Sequence, residues 1–452
     1  MRKEGLSSIP QVEKLLQQPQ VASWNPKLSR PLVARIVSEV LAELRSNLRD
    51  TVAVPSPEVP SEALVIGQIV EACRRRYRRR IGKVINATGV ALHTNLGRSP
   101  LAASVWQGAA AANTGYSSIE IDLDTGQRGK RNGIIPELLS ILTGCDDALV
   151  VNNNAGAVFL LLSALARGKE VIVSRGEQIQ IGGGFRIPEI LALSGAHLIE
   201  VGTTNITTLQ DYQRAVTEET VMVLVVHPSN FKIRGFTEKP RLSELAQGMP
   251  PRVVLAVDQG SGATTEDIPG ETGVQRYLSQ GARLVCFSGD KVLGGPQAGV
   301  IVGDRGLIAE LAAHPLFRAL RPGKTIYSLL EEHLVQRLNG TVLGQAERVL
   351  RVPLPHLEAL GERLLSGIPR EKAAVVRSTA ASGGGSSPDE TVASLAIELR
   401  GSAKPERTLA RLREMQPPIV ATIEDDRVRL SLATLMDEDE RYVADAIRTV
   451  LE

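Results

Sequence analysis

The chain has 452 residues, 43% of them hydrophobic, which is enough for a large core and two or three domains. A formal net charge of +2 excludes a protein that is basic throughout, but residues 1–80 carry 14 Lys and Arg against 8 Asp and Glu. No apolar run approaches the roughly 18 residues of a membrane-spanning helix, and the three cysteines have no paired or metal-ligand spacing. We therefore expect a cytoplasmic protein, with reduced thiols and without a metal site.

The basic amino-terminal part is predicted to be helical. Apolar side chains recur at helical spacing within residues 9–49, and a further helix begins near Ser61. That helix ends in residues 74–80, which are six arginines and Tyr77. Two interpretations are open: a solvated helix end that complements the helix dipole, or a contact with nucleic-acid phosphates in which Tyr77 stacks on a base.

From Val84 onwards, strand-like runs alternate with helix-length segments. The strand candidates are residues 148–151, 171–174, 198–201, 221–226, 253–257, 284–287 and 299–302. This alternation predicts an α/β domain with a mainly parallel seven-stranded sheet that binds its ligand at the carboxyl ends of the strands. Residues 392–399 and 427–432 alternate like strands of a smaller α+β domain. We predict three domains, over residues 1–82, 83–330 and 331–452.

The most informative stretch follows strand 284–287. Lys291 lies there among Ser288 and several glycines, which would let a flat ligand approach the backbone. A buried lysine of this kind can form a Schiff base, whereas the alternative is a surface turn with an ordinary solvated lysine. Strand 253–257 ends in Asp258, a carboxylate suited to pair with a protonated pyridine nitrogen.

A candidate phosphate site lies upstream of both residues. Strand 148–151 leads into Asn153, Asn154 and Ala155, and the helical run 158–165 follows. A strand, a turn of small residues and a helix start direct free backbone N–H groups at a phosphate. The order of phosphate turn, acid and lysine predicts a pyridoxal phosphate site of the aminotransferase-like class, fold type I.

Longer blocks of sequence resemble one family. Residues 85–100, INATGVALHTNLGRSP, resemble the signature of the bacterial selenocysteine synthases, the L-seryl-tRNA(Sec) selenium transferases. Further similar blocks are residues 151–155, 173–177, 181–188, 200–205, 258–262, 287–303 and 314–321. The resemblance implies a pyridoxal phosphate enzyme that converts seryl-tRNA(Sec) to selenocysteinyl-tRNA(Sec) through an aminoacrylyl-tRNA intermediate, with selenophosphate as the selenium donor.

The resemblance also implies roles for individual residues. Lys291 would hold the cofactor and, once released, act as general base and acid. Arg98, Arg318 and Arg321 would hold the oxyanion of the selenium donor. From the residues alone, Arg318 and Arg321 are equally consistent with a helix face that binds an acid. Gln178 falls where related enzymes cover one face of the cofactor ring.

Two histidines are further candidates for acid–base chemistry. For His93 and His227 a structural hydrogen-bonding role is favoured over a catalytic one.

The family forms ring-shaped homo-oligomers, decamers built from dimers, with active sites at subunit interfaces. If this applies here, Arg98 could come from a neighbouring subunit. The basic domain over residues 1–82 would then grip tRNA(Sec), which would account for its charge.

Five positions depart from the family pattern: Gln178 replaces a hydrophobic residue, Gln180 a glutamate, and Ile206, Thr422 and Ala433 each an arginine. None of them is a predicted catalytic or cofactor residue apart from Gln178. Two alternatives remain open. One is a related lyase or eliminase that acts on a small amino sugar or amino acid, and the other is a non-catalytic tRNA-binding protein.

Overall fold

The computed structural model describes residues 10–50, 61–178, 180–181, 185–227, 233–266, 268–383, 390–401 and 404–452. The chain divides into two compact units, Met1–Lys83 and Val84–Glu452. The finer division into three domains stays a prediction. Within the described ranges, no helix combines the length and apolar character that crossing a bilayer requires.

The first unit is built from helices, as predicted. Its described helices are α1 (Val12–Gln17), α2 (Pro19–Ala22), α3 (Asn25–Leu28), α4 (Arg30–Asp50) and α5 (Glu62–Arg78). Apolar residues at helical spacing on α4, such as Val33 and Ile36, share one buried core with Ile69 and Cys73 of α5. The Ser61 hydroxyl accepts a hydrogen bond from the Leu64 amide and caps α5, which fixes where that helix begins.

The second unit contains two larger sheets. Its strands are β1 (Ile85–Asn86), β2 (Asp147–Val151), β3 (Glu170–Ser174), β4 (Gln180–Ile181), β5 (Phe185–Arg186), β6 (His197–Val201), β7 (Thr220–Val226), β8 (Val254–Gly260), β9 (Leu284–Ser288), β10 (Gly299–Gly303), β11 (Ala373–Ala381), β12 (Thr391–Leu399), β13 (Ile419–Val420), β14 (Thr422–Glu424) and β15 (Arg427–Ser431). The order in the seven-stranded sheet is β2-β10-β9-β8-β7-β3-β6. Strand β10 is antiparallel to both neighbours and the other pairs are parallel, which confirms the predicted mainly parallel sheet.

Helices cover this sheet and connect its strands. They are α6 (Ala103–Thr114), α7 (Ile135–Thr143), α8 (Asn154–Leu165), α9 (Ile187–Ser194), α10 (Leu209–Ala215), α11 (Leu242–Gly248), α12 (Val274–Ser279), α13 (Arg305–Ala313), α14 (Pro315–Leu320) and α15 (Lys324–Leu338). Alternate residues of β9 enter two different cores: Val285 and Phe287 enter one, and Leu284 and Cys286 the other. The sheet is therefore buried on both faces, which explains why its strands are almost continuously apolar.

The carboxyl-terminal part carries a four-stranded antiparallel sheet in the order β11-β12-β15-β14. It packs with helices α16 (Gln345–Arg351), α17 (Leu354–Leu364), α18 (Pro405–Glu414) and α19 (Glu440–Leu451). The short strand β1 pairs in parallel with β13, which places Ile85 opposite Ile419. Leu92 and Val292 belong to the same apolar core as the carboxyl-terminal sheet, so this core contains residues that are far apart along the chain.

The geometry of the large sheet brings three loops together. Strands β2, β8 and β9 run in the same direction, so their carboxyl ends meet at one edge of the sheet. Gly299, the first residue of the reversed strand β10, lies at the same edge. A Cβ there would overlap the backbone carbonyl of Asn153 and lie 2.9 Å from the Asn154 amide nitrogen. The turn of Asn153, Asn154 and Ala155, called the asparagine turn below, therefore needs a glycine at position 299.

We expect Gly299→Ala to lower the free energy of unfolding of the protein by about 1–3 kcal/mol, because the added methyl group meets backbone atoms that cannot rotate away. Gly323→Ala is the control, since no atom lies within 4 Å of its Cβ position. Urea unfolding followed by circular dichroism measures both. Equal midpoints for Gly299→Ala and the wild type would contradict the prediction.

Candidate active site

Lys291 is buried in the loop that follows β9, with 5% of its surface exposed. The loop is fixed by backbone hydrogen bonds: the Val292 amide donates to the Ser261 carbonyl, 3.0 Å, and the Gly295 amide to the Gly289 carbonyl, 2.8 Å. Burial, and next the nearby Arg98 guanidinium, lower the pKa of the Lys291 amine. A larger fraction of the amine is therefore uncharged and nucleophilic near neutral pH.

Asp258 is the second buried ionisable group at this edge. It lies on β8 in register with Cys286 of β9, and only 3% of its surface is exposed. Burial raises the pKa of the Asp258 carboxyl, opposed by a 2.7 Å hydrogen bond from Asn154 Nδ2 to its Oδ1 and by the Lys291 charge. A carboxyl in this position gains from a cationic N–H partner, because the partner would stabilise its ionised form.

The asparagine turn leads from β2 into helix α8. Asn153 caps the helix, and its Oδ1 accepts a hydrogen bond of 2.8 Å from the Gly156 amide. The first turn of an α-helix carries amide groups without intrahelical partners, so this end of α8 favours an anion such as a phosphate. Asn154 Oδ1 is also buried without a hydrogen-bond donor among the described residues.

These residues line one cavity of about 450 Å³. Its described walls are Thr94, Gly97, Arg98, Asn153, Asn154, Ala155, Asp258, Ser288, Asp290, Lys291 and Gln297. The cavity therefore brings together seven of the residues named from the sequence. Sequence reasoning did not assign Thr94, Gly97, Asp290 and Gln297 to the site, although the first two lie in the block 85–100 and the other two in the block 287–303.

Arg98 of the same chain lines the cavity. Its Nη1 lies 3.0 Å and 3.3 Å from the two carboxylate oxygens of Asp290. The Arg98 backbone has φ +62°, a left-handed conformation that is strained for a side-chain-bearing residue. Hydrogen bonds from its amide to the His93 carbonyl and from the Ser99 amide to the Asp290 carbonyl, each 3.2 Å, hold this conformation.

Three other predicted residues do not line this cavity in the described part of the chain. Arg318 is exposed on α14. Arg321 Nη1 lies 3.6 Å from Glu120 Oε1. Gln178 Nε2 donates to Glu200 Oε1 at 2.7 Å, so its amide is engaged by a carboxylate. Their roles stay predictions.

The remaining positions that depart from the family pattern lie outside the cavity walls. Gln180 Oε1 accepts a 2.8 Å hydrogen bond from Arg186 Nε. Ile206 is 38% exposed and Ala433 is 1% exposed, while Thr422 begins β14. Within one chain, these four residues therefore do not contact a substrate bound in this cavity.

His227 contacts the back of the site. Its amide donates to the Asp258 carbonyl at 2.9 Å, its Nδ1 lies 3.2 Å from the Tyr277 hydroxyl, and its Nε2 lies 3.4 Å from a carboxylate oxygen of Glu271. These contacts fit the predicted structural role. The backbone carbonyl of His93 accepts the hydrogen bond from the Arg98 amide that is described above.

A histidine that was not predicted from the sequence, His333, contacts the loop that carries Lys291. His333 on α15 is fully buried, and its Nε2 lies 2.9 Å from the Leu293 carbonyl oxygen, to which it must donate. Burial lowers the pKa of His333 to about 4, so the ring is neutral at pH 7. Its Nδ1 has no hydrogen-bond partner among the described residues. Protonation would leave a buried charge with an unmatched donor.

The pKa of His333 predicts a pH dependence of stability. An unfolded histidine takes up a proton below its ordinary pKa of 6.5, whereas folded His333 does so only near pH 4. Its contribution to stability is complete above pH 6.5 and is lost as the pH falls towards 4, by up to about 3 kcal/mol. His333→Gln keeps an amide donor for Leu293 without this titration, so its unfolding free energy should fall less over that pH range.

His356→Gln is the control, because His356 is exposed and its replacement should leave the wild-type pH profile unchanged. Urea unfolding at pH 7, 6, 5 and 4 measures all three proteins. The same pH profile for His333→Gln and the wild type would rule out His333 as the cause.

A buried lysine with a lowered pKa, an acid on the neighbouring parallel strand and a helix start beside them are the arrangement expected of a fold type I pyridoxal phosphate enzyme. Comparison with known proteins identifies the group within this class. The chain belongs to the L-seryl-tRNA selenium transferase family, whose model matches residues 84–436, and residues 6–45 match the family described as selenocysteine synthase N terminal.

Relatives match over almost the full length. The L-seryl-tRNA(Sec) selenium transferase of Moorella thermoacetica is 39% identical, over 99% of this chain and 97% of its own. That of Solidesulfovibrio magneticus is 42% identical, over 92% of each chain. The solved structure of a D-glucosaminate-6-phosphate ammonia-lyase superposes with a TM-score of 0.60 at 20% identity, over 82% of this chain and 96% of that one. This last likeness concerns the fold.

Proposed function

We propose that this protein converts seryl-tRNA(Sec) to selenocysteinyl-tRNA(Sec), with pyridoxal phosphate as cofactor and selenophosphate as selenium donor. The observation that carries the proposal is the cavity that unites Lys291, Asp258 and the asparagine turn, in a chain that matches selenium transferases from end to end. The fold alone does not decide the substrate, because an ammonia-lyase for a small substrate shares it.

The residues of the cavity fit the cofactor. Lys291 would bind its aldehyde, Asp258 would pair with the ring N–H, and the turn of Asn153, Asn154 and Ala155 would accept the phosphate. When bound, pyridoxal phosphate draws electrons away from the α-carbon of the attached amino acid. The cationic ring N–H would then stabilise the ionised form of the buried Asp258 carboxyl, whose pKa burial raises.

Lys291 is suited to move the protons of the reaction. As a free amine with a lowered pKa, Lys291 would accept the α-proton of the bound serine. The same ammonium can then donate a proton to the departing serine hydroxyl. Burial excludes water from these transfers, since only 5% of the Lys291 surface is exposed.

The three arginines would hold the oxyanion of the selenium donor. Arg98 lies in the cavity, while Arg318 and Arg321 lie outside its described walls in the same chain. Arg318 and Arg321 would complete this anion site from a second copy of the chain if the active sites are shared between subunits, as the family resemblance implies. On the family resemblance, we propose a decamer built from dimers, in a cytoplasmic enzyme.

The first unit would bind the tRNA. One concave surface, of about 680 Å³, is lined by Lys27, Arg76, Arg79 and Arg80 together with Pro26, Leu28, Ser29 and Leu32. Trp24 and Tyr77 lie in edge contact beside it, with their ring centroids 5.9 Å apart. Clustered cations with aromatic side chains match the phosphates and bases of RNA.

Incubation of the purified protein with seryl-tRNA(Sec), selenophosphate and pyridoxal phosphate should yield tRNA esterified with selenocysteine. Mass spectrometry of the released amino acid identifies the product. Lys291→Ala should lose the yellow colour of the bound cofactor and all conversion, because no other amine lines the cavity among the described residues. Wild-type protein that leaves the serine unchanged, yet eliminates from a free amino acid or amino sugar, would support the lyase instead.

The affinity for tRNA(Sec) should fall as the salt concentration rises. The double variant Arg79→Gln, Arg80→Gln should bind about 10-fold more weakly. Its slope of log affinity against log salt concentration should be smaller by about 2, because two phosphate contacts are lost. Arg74→Gln is the control, since Arg74 lies in the last turns of α5, just before Arg79 and Arg80, but pairs with Glu71 and does not line the surface. Filter binding at several salt concentrations measures the slope. An unchanged slope in the double variant would remove this surface from the tRNA site.

A further inference from the structure

The charges around the cavity form two pairs. Among its described walls, the cations are Arg98 and Lys291 and the anions are Asp258 and Asp290. In the proposed function, the cofactor engages Lys291 and Asp258. The pair that remains to face a substrate is Arg98 with Asp290, and its net charge is zero.

The position of Asp290 is set by the backbone. It directly precedes Lys291, and its carbonyl accepts the Ser99 amide, so the segments that carry the two charged side chains are tied together. Its side chain is 11% exposed and that of Arg98 is 34% exposed. Because the pair is partly shielded from water, its attraction exceeds that of an ordinary surface ion pair.

A free amino acid and an aminoacylated tRNA differ in charge at one group. Serine carries an α-carboxylate, whereas the same carbon in seryl-tRNA is a neutral ester. Enzymes that bind free amino acids need a cation for the carboxylate. Among the described cavity walls of one chain, the cation left for that purpose is Arg98, and it is already paired with Asp290. A substrate carboxylate would have to displace Asp290 or lie beside it, and two neighbouring carboxylates repel each other.

We propose that Asp290 is a specificity-determining residue that rejects amino acids with a free α-carboxylate and admits neutral seryl esters. The proposal rests on the proposed function of the site. The ester is neutral and therefore does not compete with Asp290 for the Arg98 charge. Its carbonyl can accept a hydrogen bond from a guanidinium N–H that Asp290 does not use. A doubly charged phosphate-like donor, in contrast, competes for Arg98 more strongly than one carboxylate does.

The test compares L-serine with L-serinamide, a stable compound that lacks the carboxylate charge. Each is titrated into cofactor-loaded enzyme, and the change in the visible absorption of the cofactor gives the Kd. The wild type should bind L-serinamide at least about 10-fold more tightly than L-serine. Asp290→Asn should gain about 10-fold or more in affinity for L-serine, because Arg98 becomes available, with little change for L-serinamide.

Asp290→Glu is the matched control, since it keeps the charge and should keep the wild-type preference. Equal affinities of the wild type for the two ligands would overturn the proposal without any variant. An Asp290→Asn variant that keeps the cofactor absorption but shows no gain in affinity for L-serine would also overturn the proposal. Seryl-tRNA conversion is a separate readout: its failure in a wild type that still prefers L-serinamide would count against the proposed function and leave the selectivity of Asp290 standing.

Discussion

The structure depends on the burial of two opposite charges at one edge of a parallel sheet. Lys291 and Asp258 are each at most 5% exposed, and they lie at the carboxyl ends of adjacent strands. Burial shifts both pKa values towards the neutral forms of the two groups. Neither group would be stable there as an isolated charge. A cofactor that reacts with the amine and presents a cationic N–H to the acid resolves both costs at once, so the same burial that is unfavourable without the cofactor favours its binding.

The rest of the fold keeps these groups in place. Strand β10 runs against its neighbours, and its glycine leaves room for the asparagine turn that caps α8. The loop that carries Lys291 is bonded to Ser261 on one side and to His333 on the other. Its next residue, Val292, enters the core of the carboxyl-terminal sheet. The position of the Lys291 amine thus depends on segments that are distant from it along the chain.

In the proposed function, charge would also select the substrate. The basic surface of the first unit would bind the phosphates of the tRNA, while Arg98 is paired with Asp290 in the cavity of the second unit. An aminoacylated tRNA satisfies both conditions, since its backbone is anionic and its aminoacyl ester is not. A free amino acid satisfies neither. Discrimination between the two would therefore arise from charge placement rather than from the size of the cavity.

The sequence by itself determined the strands of the large sheet, the lysine, the acid and the phosphate turn, because each is a local pattern: an apolar run that ends in a residue of particular chemistry. Parallel strands necessarily bring such carboxyl ends together, so the core of the site followed as well. Only the tertiary structure decided which side chains meet across long separations. It paired Arg98 with Asp290, 192 residues later, placed His333 against the Leu293 carbonyl and engaged Gln178 with Glu200. These partners are fixed by how the elements pack in three dimensions, and no periodicity or spacing along the chain encodes that packing.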